Sequence, residues 1–238
     1  MSGTNPVNSR MSGLSMSVDA DRLTIRVGPG STYVPNTRRI STDTDLTTTL
    51  VAPTASQWRH VYIYLNGTIP SIEAVATAPD SAYQGSARLK AGDPTRRYVG
   101  SIYVGSDGLL VQILHTHPTT AGNRVDILTP NGLADPYPAL LLNGIATAST
   151  NVSAANAVPP TSRLAILDIQ NTTTLPMYLS NPDRAPVSAT RFLRQVRAGL
   201  GGEFTLPLDS QQRFNYMFSG LLGLGNGNIR VIGYFYNR

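Results

Sequence analysis

Two histidines one residue apart, His115 and His117, would place both imidazoles on the same face of an extended chain. That spacing suits metal ligation, and two such ligands from each of several subunits could hold an ion on a symmetry axis. No Asp or Glu nearby completes a site within one chain, and ligand number decides such sites. Asp19-Ala20-Asp21 and Asp43-Thr44-Asp45 pair carboxylates in the manner of a calcium loop, but neither has the central Gly or terminal Glu. They read as loop acids. Glycoside hydrolysis wants two opposed carboxyls, and Glu73 and Glu203 are the chain's only glutamates, with nothing in the sequence to pair them. A nucleophilic serine in a Gly-x-Ser-x-Gly elbow is absent. Gly223-Leu224-Gly225-Asn226-Gly227-Asn228 lacks the Lys-Ser or Lys-Thr of a phosphate loop and leads into a strand, so it reads as a turn. The chain has no cysteine, hence no disulfide, thiolate nucleophile or Cys-based zinc site. These residues nominate no catalytic set and call for no cofactor.

The elements that must position these groups are strands. Trp58-Arg59-His60-Val61-Tyr62-Ile63-Tyr64-Leu65 carries large side chains on both alternating faces. Such a strand lies inside a sheet packed on both sides, or at a subunit contact. His60, set among aromatics, reads as a hydrogen-bonded core or interface residue. Asn66-Gly67 follows and predicts a hairpin. A second hairpin is predicted from Arg96–Val104 through the turn Gly105-Ser106-Asp107-Gly108 to Leu109–Leu114.

Before these, residues 1–13 are rich in Ser, Gly and Asn and read as a flexible arm. Leu23, Ile25 and Val27 alternate as a strand that Gly28-Pro29-Gly30 breaks. Residues 118–124 read as a linker between an N-terminal β domain, 14–117, and a C-terminal β-sandwich domain, 125–238. In the second half, 144–162 reads as a long loop or inter-subunit strap. Arg163–Gln170, Glu203–Leu208, Phe214–Phe218 and Ile229–Tyr236 read as strands. Residues 188–198 fit helical or strand spacing, and the all-β surroundings favour strand. Short strands between turn signals predict an all-β fold with two β-sandwich or jelly-roll-like domains in tandem.

The 238 residues are enough for two such domains. Charged residues make up 14%, against roughly 25% for an average soluble domain. The polar surface must then come from Ser, Thr, Asn and Gly, as in proteins covered by neighbours in an assembly. Of 19 basic residues only Lys90 is a lysine, and the net charge is +5. The arginines are scattered (Arg38-Arg39, Arg96-Arg97, then Arg191, Arg194 and Arg197). That spread argues against nucleic acid as a partner. No stretch approaches the ~20 apolar residues that span a bilayer, so no membrane insertion is expected. The 11 tyrosines suit strand packing, a protein interface, or stacking on sugars.

Residues 14–117 resemble the N-terminal region of structural, fibre-like proteins of tailed bacteriophages. The resemblance rests on Val18-Asp19-Ala20-Asp21-Arg22-Leu23-Thr24-Ile25-Arg26-Val27 with Pro29-Gly30, and on the Trp58–Leu65 strand. It continues through Ala78-Pro79, Arg96-Arg97-Tyr98-Val99-Gly100-Ser101 and Asp107-Gly108. It implies a small β module at which an appendage joins the particle, and so a virion protein made in the host cytoplasm. The second half, closing with Gly233-Tyr234-Phe235-Tyr236, lacks the long repeat of a fibrous shaft. The expectation is a non-enzymatic virion structural protein of tail-appendage type, homotrimeric and docked on other virion proteins. A capsid decoration protein and a carbohydrate-binding module for a host surface glycan are the alternatives. The residues expected at its interfaces are Trp58, Tyr62, Tyr64, Arg96 and Arg97.

Overall fold

Alternation of apolar and polar residues becomes strand throughout the computed structural model, which describes residues 10–35, 39–119, 122–128, 138–183, 185–221 and 223–236. The side chains of 117–119 and 122 lie outside that description. The fold is all-β, with no helix among the described residues and sandwich-like domains in tandem. The chain divides into two units between Asn123 and Arg124.

Unit 1 contains β1 (Met11–Gly13), β2 (Met16–Val18), β3 (Thr24–Val27), β4 (Gly30–Tyr33), β5 (Arg39–Thr42), β6 (Leu46–Thr49), β7 (Gln57–Asn66), β8 (Ile69–Val75), β9 (Leu89–Lys90), β10 (Asp93–Val104) and β11 (Ile113–Thr119). They form the sheets β1-β4-β5 and β8-β7-β10-β9 and the antiparallel run β11-β2-β3-β6. The β7–β8 hairpin forms as expected, with Asn66 opposite Ile69 and Gly67 at positive φ in the two-residue loop. His60, Val61, Tyr62 and Ile63, consecutive on β7, are all buried by the chain itself. The strand's two loaded faces are therefore both packed without a second subunit.

Three expectations for this half need correction. Met11–Gly13, read as part of a free arm, is strand β1 paired with β4; residues 1–9 lie outside the described residues. The hairpin expected from Arg96–Val104 does not continue as a ladder. β10 pairs with β7, and the returning chain meets it only at the bridge Val104–Leu110. Arg22 draws the return away: its Nε donates to the Leu110 carbonyl (3.0 Å), its carbonyl accepts from Leu110 N–H (2.8 Å), and its guanidinium pairs with Asp107 (2.9 Å). Of the linker expected over 118–124, residues 118–119 end β11 and 122–124 begin the next strand, and 120–121 lie outside the described residues.

Unit 2 contains β12 (Gly122–Ile127, across which the division falls), β13 (Ala139–Gly144), β14 (Thr150–Ser153), β15 (Ser162–Asn171), β16 (Met177–Ser180), β17 (Arg194–Val196), β18 (Gly201–Pro207), β19 (Arg213–Phe218) and β20 (Gly227–Tyr236). One layer runs β18-β15-β20-β12, with β13 also on β20; the other runs β14-β19-β16-β17. The layers meet closely at Gly227, where a Cβ would fall 1.9 Å from the Met177 methyl and 3.1 Å from the Phe218 ring. Ile166, Leu167, Ile169, Leu179, Phe214 and Phe218 are fully buried, each worth roughly 1.5–3 kcal/mol of transfer free energy. The strap read across 144–162 holds strand β14, paired with β19. Residues 188–198 are not helical: a turn closed between Ser188 and Arg191 leads into strand β17.

The corner from β18 to β19 is built on Asp209. Its Oδ1 accepts the N–H groups of Gln211 (2.9 Å) and Arg213 (2.7 Å), and its Oδ2 accepts Arg213 Nε (2.9 Å). Burial alone would raise this carboxyl. The bonds from Arg213 and Gln211 outweigh it and hold Asp209 below the ordinary carboxylate range.

Candidate functional site

The residues expected at interfaces fall in the β8-β7-β10-β9 sheet, and the structure separates them. Trp58 and Tyr103 lie opposite each other across β7 and β10, half-buried, with ring centroids 5.1 Å apart. Arg96 lies over the half-buried Tyr64 ring at 3.7 Å and donates Nε to Glu73 (3.2 Å). Lys90 binds the same Glu73 oxygen at 2.9 Å. These residues keep some surface. Tyr62 and Arg97 do not: both are fully buried, and they are core rather than interface. The Tyr62 hydroxyl donates to the Thr77 carbonyl (2.7 Å), and burial raises its pKa above the ordinary phenol value. Arg97 Nη1 donates to the Arg88 carbonyl (2.9 Å) beneath the β9 chain. For Arg97 the physical reason lies at the bulge between Tyr98 and Gly100, which turns it onto the face it shares with Ile63; Tyr62, on the unbroken β7–β8 ladder, lies against the Tyr98 ring and under Lys90.

Beside Tyr62 runs a buried polar chain. His60 Nδ1 and the Ser101 hydroxyl are 2.7 Å apart, and Ser101 is 2.7 Å from the Tyr98 hydroxyl. A serine on an imidazole has the form of a nucleophile and its base. Here Ser101 is 1% exposed, no carboxylate orients the ring, and no substrate can reach it. The arrangement satisfies polar groups in the core, as the sequence suggested for His60. Loss of solvent pulls the His60 pKa down to about 4, so the imidazole is neutral at pH 7.

Of the two candidate metal ligands, only the His115 side chain is among the described residues. His115 is buried, and its Nδ1 accepts the Met16 N–H at 3.1 Å, which leaves the ring proton on Nε2 in the neutral form. The His117 side chain lies outside the described residues. Among the described residues no three His, Cys, Asp or Glu side chains cluster as metal ligands. The loop acids are also engaged: Asp19 and Asp45 both bind Arg26 (2.9 and 3.0 Å), while Asp21 accepts the N–H groups of Leu23 and Thr24. An open polar depression of about 390 Å³ lies over β1-β4-β5, lined by Ser12, Ser31, Ser41, Arg39 and Asp43 with no aromatic floor.

What sequence reasoning missed is the loop end of unit 2. Leu221 and Leu224 are 88% and 85% exposed, and Leu142, Ile145 and Leu200 are also exposed. Hydrogen bonds gather their loops at one end. Asn143 bonds Asn226 (2.8 Å) and Asn228 (3.0 Å), Thr172 N–H reaches the Asn226 carbonyl (2.9 Å), and Asn171 N–H reaches the Leu200 carbonyl (2.9 Å). Gly199 N–H closes on Thr173 (3.0 Å). Residues 142–149, 171–176, 197–202 and 219–228 contain no acid and one arginine, Arg197. The signal in the sequence was three leucines within a glycine-rich segment, too apolar for a simple solvated turn. No protein-family model matches the chain, and no curated protein matches it.

Proposed function

We propose that this protein is a non-enzymatic structural component of a tailed-phage virion, of tail-appendage type, that assembles as a homotrimer and docks through its β domains. The observation that carries the assembly half of this reading is the aliphatic end of unit 2. Five large apolar side chains projecting from β13 and the neighbouring loops are costly to leave in water and mark a surface that a neighbour covers. Charge depletion at that end matches the centre of a protein interface. The low overall charge also fits a protein covered by neighbours, and the resemblance of residues 14–117 supplies the phage half.

The polar groups that could do chemistry among the described residues are otherwise engaged. The Ser101–His60 pair is sealed, Glu73 is held by two cations, and Asp209 is spent on a turn. Gold labelling of intact particles with an antibody to this chain, viewed by electron microscopy, tests the reading. Label confined to the tail is the expected result. Label over the head makes the protein a capsid decoration component, and absence of the chain from purified particles by mass spectrometry overturns the virion assignment.

A further inference from the structure

Strand β17 ends the β14-β19-β16-β17 layer, with β16 as its ladder partner among the described residues. Around it Arg191, Arg194 and Arg197 are all exposed, and none makes an ion pair among the described residues. Arg22, Arg26, Arg96, Arg124 and Arg213, by contrast, each hold a carboxylate. Residues 184–202 contain no acid. Between the first two arginines, Phe192 is 40% exposed and rests on the buried Tyr178 ring, centroids 4.9 Å apart.

We propose that this edge docks an acidic, extended peptide segment of a partner protein. The segment lies along β17, where its carboxylates meet the three guanidiniums and an apolar residue covers Phe192. A peptide suits the site better than nucleic acid or a charged glycan, since one aromatic ring already stacked on Tyr178 is a poor platform for successive bases or sugars. The segment is not supplied by a second copy: the paired acids Asp19, Asp21 and Asp45 are held within their own chain, and no other stretch here is acid-rich. The proposal draws on the assembly reading only for its choice of a protein partner.

The test is fluorescence anisotropy of a labelled peptide alternating Glu with Val or Thr, titrated with the full chain at low and at physiological salt. Binding that weakens with salt, and that falls at least ten-fold in R191A/R194A/R197A while R191K/R194K/R197K retains part of it, is the expected result. Unchanged melting of both variants shows that the fold is intact. No peptide binding by the wild type overturns the proposal and leaves the arginines as charges that block edge-to-edge pairing. Equal or tighter binding of an oligothymidine or a sulfated oligosaccharide overturns the choice of a peptide. Self-association measured on the same samples separates the two readings, since the aliphatic end and the β17 arginines are altered by different substitutions.

Discussion

At the scale of single residues, His60 and Asp209 make the fold sensitive to acid in opposite chemical ways. The His60 pKa is about 4 in the folded chain and 6.5 in its ordinary state. Between those values the unfolded chain binds a proton that the folded chain refuses, so stability falls as pH drops through that window and levels off below it. The full window is worth on the order of 3 kcal/mol. H60Q should flatten the pH dependence of the urea midpoint between pH 6.5 and 4; an unchanged slope would assign it to other groups. Asp209 has a lowered folded pKa, so its contribution is present above the ordinary carboxylate value and is lost as pH falls through the folded one. D209N replaces an acceptor of three bonds with a group that can accept fewer, and should cost about 1–3 kcal/mol at pH 7 in chemical denaturation.

Among the elements, period and turn chemistry carried most of the information. The β7–β8 hairpin was legible because Gly67 supplies the positive φ and the flanking residues alternate. The β10 return was not, because its local turn is real but Arg22, far back in the chain, outbids the ladder for Leu110. The same limit hid β1. Nothing local to Met11–Gly13 announces a strand; it exists because Gly13 and Gly30 let two backbones come together. A Cβ on Gly30 would meet the Ser12 carbonyl oxygen at 2.3 Å. G30A should therefore separate β1 from β4, read as faster amide exchange over 11–13 and 30–33, while the β7–β10 core keeps its protection. Protection lost evenly across unit 1 would mean that β1 belongs to the global folding unit. Arg97 was hidden because a bulge decides which face a strand residue takes and leaves no mark in the periodicity, and Tyr62 because Tyr98 and Lys90, remote in sequence, lie against its ring.

For the whole molecule, the all-β class and tandem division followed from length, low charge and turn spacing, whereas the apolar end of unit 2 did not. Leu142, Leu200 and the Leu221–Leu224 pair lie far apart in sequence and are gathered at one end only through the bonds that Asn143, Asn171 and Asn226 make. The central claim is that a second and third copy cover this end. Sedimentation equilibrium of the wild type and of L221S/L224S at tens of micromolar tests it most directly, since exposed loop positions alter folding by only about 0.5 kcal/mol. A trimeric wild type beside a monomeric variant with the same melting temperature is the expected result. Monomers in both samples, or trimers in both, would contradict it.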